Sequence, residues 1–82
     1  MDPAVAFGQV LRRLRKEVGL SQEQLGFSAD IQRKYVSLIE LGDNQPTIRV
    51  LFKLANALGT TTSAMMAEVE DLIRASDKTA KK

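Results

Sequence analysis

The sequence predicts an all-α fold of five helices, and three observations carry that expectation. Apolar residues recur at three- and four-residue spacing along every apolar segment, and no alternating strand pattern occurs. Helix starters and stoppers bracket those segments: Asp2-Pro3, Ser21, Thr47 and Thr61 at the starts, Gly19 and Gly59 at the stops. The chain's 82 residues suit one small core, and 44% apolar with 27% charged side chains is the balance of a folded domain.

The first helix runs from Pro3 to Val18. Pro3 suits an N-terminal turn after Asp2, and Phe7, Val10, Leu11, Leu14 and Val18 keep one face apolar. Ser21 and Gln24 make an S-x-x-Q capping box that starts the second helix, over 22–29. Leu25 and Ala29 form its inner face, and Gly26 leaves room for a crossing helix. Asp30 stands at a tight turn, since Asp tolerates the left-handed conformation better than most residues. Ile31 plugs that corner. The third helix, over 32–40, turns Val36 and Ile39 inward, leaving Gln32, Arg33, Lys34, Ser37 and Leu38 outward. Those groups suit phosphates and base edges better than a core.

Gly42-Asp43-Asn44-Gln45-Pro46 reads as a loop. Thr47 caps a fourth helix over 48–57, whose apolar residues wrap more than half its circumference. It is therefore expected to be the most buried element. The fifth helix follows Thr61 and ends near Arg74, carrying Met65, Met66, Val69, Leu72 and Ile73. Residues 1–75 thus form one domain, and 76–82, S-D-K-T-A-K-K, have nothing to bury and are expected to be a disordered basic tail.

Charge distribution says more than the net charge of +2. Residues 1–53 hold eight Lys/Arg against six Asp/Glu, whereas 54–75 hold Arg74 against Glu68, Glu70 and Asp71. The surplus lies with the helix-turn-helix half and the tail. There are no cysteines and no histidines, which removes disulfides, thiol nucleophiles and the usual zinc sites. The carboxylates lack a convergent pattern and no Gly-rich phosphate loop is present, so we expect no enzyme, no metal and no cofactor. With no leader-like start and no apolar run of membrane length, the expected location is the cytoplasm.

From Val10 to Met66 the sequence resembles the Xre/Cro-like transcriptional regulators, which share the lambda-repressor-like DNA-binding domain. The likeness rests on L-R-R-L-R-K-E-V-G-L-S-Q-E-Q-L before the turn and P-T-I-R-V-L-F-K-L-A-N-A-L-G after the loop. It implies double-stranded DNA as partner, with the third helix in the major groove. Its contact positions correspond here to Gln32, Arg33, Lys34, Ser37 and Leu38. Arg33 suits guanine, Gln32 suits adenine, and Leu38 suits a thymine methyl. The rival reading of Arg33 and Lys34 is a solvated face.

Phosphate contacts implied by the resemblance fall on Gln22, which in the family braces both the DNA backbone and the recognition helix. The Tyr35 hydroxyl either reaches a phosphate or the ring packs over Ile31. The loop at Gly42, Asp43 and Asn44 follows the recognition helix and offers backbone N–H groups to the other side of the site, with Asn44 among the expected contacts. The Asp43 carboxylate repels phosphate, which counts against a contact from its side chain. Arg12, Arg13 and Lys16 read as general positive field. Arg15 and Glu40 correspond to an internal ion pair that fixes the third helix on the first. Two positions depart from the family: Asp30 replaces the usual Gly, and Gln32 replaces a Ser or Thr cap.

Such regulators usually act as homodimers on near-palindromic operators, as repressors or controllers. The expected interface is Met66, Val69, Leu72 and Ile73; the alternative is that these residues close the monomer's own core. The rival function is an antitoxin or adaptor that masks a partner protein through the fifth helix and tail.

Overall fold

The computed structural model describes residues 1–80, of which all but Thr79 and Ala80 have described side chains. The helices are α1 (Pro3–Glu17), α2 (Gln22–Ala29), α3 (Arg33–Glu40), α4 (Ile48–Ala57) and α5 (Thr62–Ala80), with no strand among the described residues. Each start has a local cause. The Asp2 carboxylate accepts from the Val5 N–H at the head of α1. At α2, Ser21 Oγ accepts from Gln24 N at 3.0 Å while Gln24 Oε1 accepts from Ser21 N at 2.8 Å, closing the capping box. Thr47 and Thr61 hydroxyls accept from Val50 and Ala64 N–H at the heads of α4 and α5.

The turn between α2 and α3 is set by Asp30, at φ 57° and ψ 47°. A side chain at Gly26 would come within 2.8 Å of the Ile31 carbonyl oxygen, so only glycine lets the turn close against α2. Gly8 does the same for α1. A methyl there would run into the Ile39 and Glu40 carbonyls at the end of α3. Leu11, Leu25, Val36, Ile39, Leu54, Met65 and Val69 fill the core between the five helices.

Three sequence expectations change. The fourth helix is not the most buried: only Leu54 and Ala55 of α4 are buried, while Ile48 is 75% and Phe52 59% exposed. It packs on α2 and α5 along one side, and nothing among the described residues covers its flank. The fifth helix does not end at Arg74. It continues through Ser76, Asp77 and Lys78 to Ala80, because this stretch holds no helix breaker and Asp77 accepts from the Met1 ammonium at 3.2 Å. The expected disorder of 76–82 is thereby corrected for 76–80, and Lys81 and Lys82 lie outside the described residues. Finally, Val69 is 1% exposed and belongs to this chain's own core. Leu72 and Ile73 are half-buried against that core, which leaves Met66 as the exposed member of the expected α5 interface.

Candidate nucleic-acid interface

α3 is an amphipathic rod only eight residues long. Val36 and Ile39 anchor its inner side, and Gln32, Arg33 and Lys34 stand exposed at its N-terminal end. Gln32 is the N-cap residue and its side chain makes no capping bond. Arg33 and Lys34 have no carboxylate partner among the described residues. By contrast Arg13, Arg15, Lys53 and Arg74 all lie against carboxylates. Among the described residues the cations without a carboxylate partner are Arg12, Lys16, Arg33, Lys34, Arg49 and Lys78, four of them on α1 and α3. A surface whose cations lack internal partners is one whose counter-charge must come from outside.

Arg33, Lys34 and Ser37 line one shallow depression. Ser37 also lines the next, a groove shared with Arg12, Arg15, Gln22, Glu40 and Leu41. The structure therefore joins Gln22, Arg33, Lys34 and Ser37 along one strip. Gln32 flanks that strip beside Asp30 and Phe27, and Leu38 is half-buried.

Beneath the strip lies a buried polar network. Arg15 Nε donates to Glu40 Oε2 at 2.6 Å and Nη2 to Oε1 at 3.0 Å, a two-pronged pair linking α1 to the end of α3. The third arm, Nη1, donates to the Leu20 carbonyl at 2.9 Å. The side chains of Arg15 and Glu40 are 10% and 4% exposed. Hydrogen bonding to Glu40, reinforced by its charge, holds the Arg15 guanidinium above its ordinary pKa against the opposing effect of burial. Gln22 Nε2 donates to Glu40 Oε1 at 3.1 Å, so the first residue of α2 is tied to the recognition helix through the same carboxylate.

Two expected contacts are placed differently. The amides of Gly42, Asp43 and Asn44 donate internally, to the carbonyls of Ile39, Leu38 and Leu38, so the loop does not offer them to a phosphate. They continue the hydrogen bonding of the helix end instead. The Asn44 side chain is exposed but lines none of the depressions described above. Tyr35 packs its ring against the core, and its hydroxyl lies 3.4 Å from the Gln45 carbonyl, bracing the loop. Sequence reasoning gave Arg12 no individual place. The signal was its position beside Arg13, one residue around the helix and therefore on a different face.

No helix among the described residues is long and apolar enough to cross a membrane. The helix-turn-helix family matches residues 11–64. Among curated proteins, the chain is similar to control protein C.MunI of Mycoplasma sp., 37% identical over 84% of this chain and 95% of the relative. It is also similar to the uncharacterized HTH-type transcriptional regulator y4dJ of Sinorhizobium fredii, 32% identical over 87% of this chain and 92% of the relative. Among solved structures, the restriction-modification controller protein C.AhdI of Aeromonas hydrophila superposes with a TM-score of 0.74, at 40% identity over 76% of this chain and 94% of that chain. The chain belongs to the Xre/Cro-like helix-turn-helix family of transcriptional regulators.

Proposed function

We propose that this chain is a sequence-specific regulator that binds double-stranded DNA as a homodimer, acting as repressor or controller on a near-palindromic operator in the cytoplasm. The observation that carries the reading is the outward end of α3, where Gln32, Arg33 and Lys34 are exposed and the two cations lack internal partners. Arg33 and Lys34 then supply charge, and the donors of Arg33 and Gln32 suit purine edges in the major groove. The Arg15–Glu40–Gln22 network supports this by holding α3 at a fixed angle to α1 and α2. Two copies read two half-sites about 34–36 Å apart. Relatives named as control proteins fit that role.

The test is a mobility-shift titration with the DNA upstream of the chain's own coding region against an unrelated duplex. The expected result is preference for the upstream DNA, with a log–log salt slope on the order of −5 to −9 for roughly 6–10 phosphate contacts. Arg33→Ala is expected to cost about 1–3 kcal/mol and to relax preference at one base pair per half-site. Equal binding to both duplexes, or an affinity indifferent to salt, overturns the reading.

A further inference from the structure

Arg12 and Arg13 are neighbours in sequence with opposite surroundings. Arg13 pairs with Glu17 one turn along α1 at 2.7 Å and with Glu68 on α5. Arg12 instead lines a groove of about 250 Å³ beside the recognition helix. That groove contains one carboxylate, Glu40, and it is fully engaged. Both its oxygens accept from Arg15, and Oε1 also accepts from Gln22. Arg15 in turn gives three of its five N–H donors to Glu40 and to the Leu20 carbonyl, and its charge is balanced by Glu40.

The floor of the groove is therefore a neutralised pair, and the uncompensated charge above it is Arg12. Two further donors open into the same space. The Ser37 hydroxyl has no partner among the described residues, and Gln22 Nε2 has a second N–H beyond the one given to Glu40. A guanidinium, a hydroxyl and an amide converging over a neutral floor match the oxygens of a phosphodiester, with the guanidinium suited to two-pronged contact. Ser37 joins this groove to the depression of Arg33 and Lys34. A strand crossing it therefore continues along the recognition helix.

Resting on the DNA-binding reading above, we propose that Arg12, with Ser37 and Gln22, seats one backbone phosphate of the bound duplex in each half-site. Arg12 is thus a specific phosphate ligand, not part of a diffuse positive field. Being a backbone contact, it positions the recognition helix and carries no base preference of its own.

The experiment compares Arg12→Gln and Arg13→Gln, which remove the same charge one residue apart, with Ser37→Ala as a third variant. Circular dichroism and thermal melting establish that each is folded. Operator and unrelated duplex are titrated from about 50 to about 200 mM salt. Arg12→Gln is expected to flatten the slope by roughly two for a dimer, shrinking the salt-induced loss of affinity about tenfold, and to weaken both duplexes by similar factors. Arg13→Gln is expected to leave the slope within error of wild type. Ser37→Ala is expected to weaken operator binding several-fold with the slope unchanged, because it removes no charge. Equal flattening by Arg12→Gln and Arg13→Gln would mean that only the overall field matters. A wild-type slope in Arg12→Gln would place the phosphate elsewhere. Failure of the wild-type chain to prefer its upstream DNA is a different outcome, and overturns the parent reading instead.

Discussion

At the scale of single residues, Glu40 is the most connected polar group of the interface, meeting Arg15 twice and Gln22 once. Its removal strands a guanidinium whose side chain is 10% exposed. An uncompensated buried charge is destabilising by about 3–5 kcal/mol, so Glu40→Ala is expected to lose that much in urea unfolding. Glu40→Gln keeps an oxygen for Arg15 and is expected to lose less. A variant within about 0.5 kcal/mol of wild type would mean that the pair is solvated. The pH dependence follows from the direction of the Arg15 shift. Because its folded pKa is raised, the stability it contributes is present throughout the range below the ordinary guanidinium value and is lost only as pH rises through the raised one. Arg15 therefore introduces no loss of stability around neutrality. The pairing of Arg15 with Glu40 was legible only through the family resemblance. Twenty-five residues separate them, and no local pattern reports which cation meets which carboxylate. The same holds for Arg12 and Arg13: adjacent in sequence, they are told apart only by the fold, which pairs Arg13 with Glu17 and Glu68 and gives Arg12 no carboxylate among the described residues.

At the scale of elements, legibility follows the range of the forces involved. The capping box at Ser21, the threonine caps and the left-handed turn at Asp30 are local, within three residues, and the sequence displays them directly. Helix flanks are different. The circumference of α4 is apolar on more than one side, but which side meets a neighbour depends on where α2 and α5 lie. The end of α5 likewise carries a contact with Met1, 76 residues away from Asp77, that no local pattern displays. Glycine spacing falls between these cases. Gly26 announces a close crossing at the turn, whereas the need for Gly8 appears only once α1 meets the carbonyl end of α3. Gly8→Ala pushes a methyl against backbone carbonyls that no rotamer change can move. It is expected to lower stability by about 1–3 kcal/mol through overpacking, despite the better helix propensity of alanine. Thermal melting checks this, and an unchanged or higher melting temperature would show that α1 can slide along α3. Gln9→Ala, exposed one position later on α1, is expected to leave stability within about 0.5 kcal/mol of wild type.

At the scale of the whole molecule, the question is what covers the apolar surface that the core leaves over. Ile48 and Phe52 lie one turn apart on one face of α4, with half-buried Leu51, three residues after Ile48, at the edge of that face. Leu51 also lines an apolar groove with Pro46 and Met66, so α4 and the exposed methionine of α5 form one continuous surface. A monomer rarely presents so concentrated an apolar patch to water. A second copy related by a two-fold axis would bury the same residues on both chains. A stable interface takes about 800 Å² from each partner, roughly one-seventh of the 5395 Å² surface of this chain. We therefore propose the α4 flank with Met66, rather than the α5 residues Val69, Leu72 and Ile73, as the dimer contact. Replacing both Ile48 and Phe52 by Glu tests this cleanly, since both already face water in the single chain and their loss opens no cavity. The double variant is expected to keep its helicity, to sediment as a monomer at micromolar concentration and to lose most of its operator affinity, because two half-sites are no longer gripped together. Replacing Leu72 and Ile73 by Asp is expected instead to unfold the chain, since those side chains pack against its own core. A wild type that sediments as a monomer, or an Ile48/Phe52 variant that remains dimeric, would place the contact elsewhere.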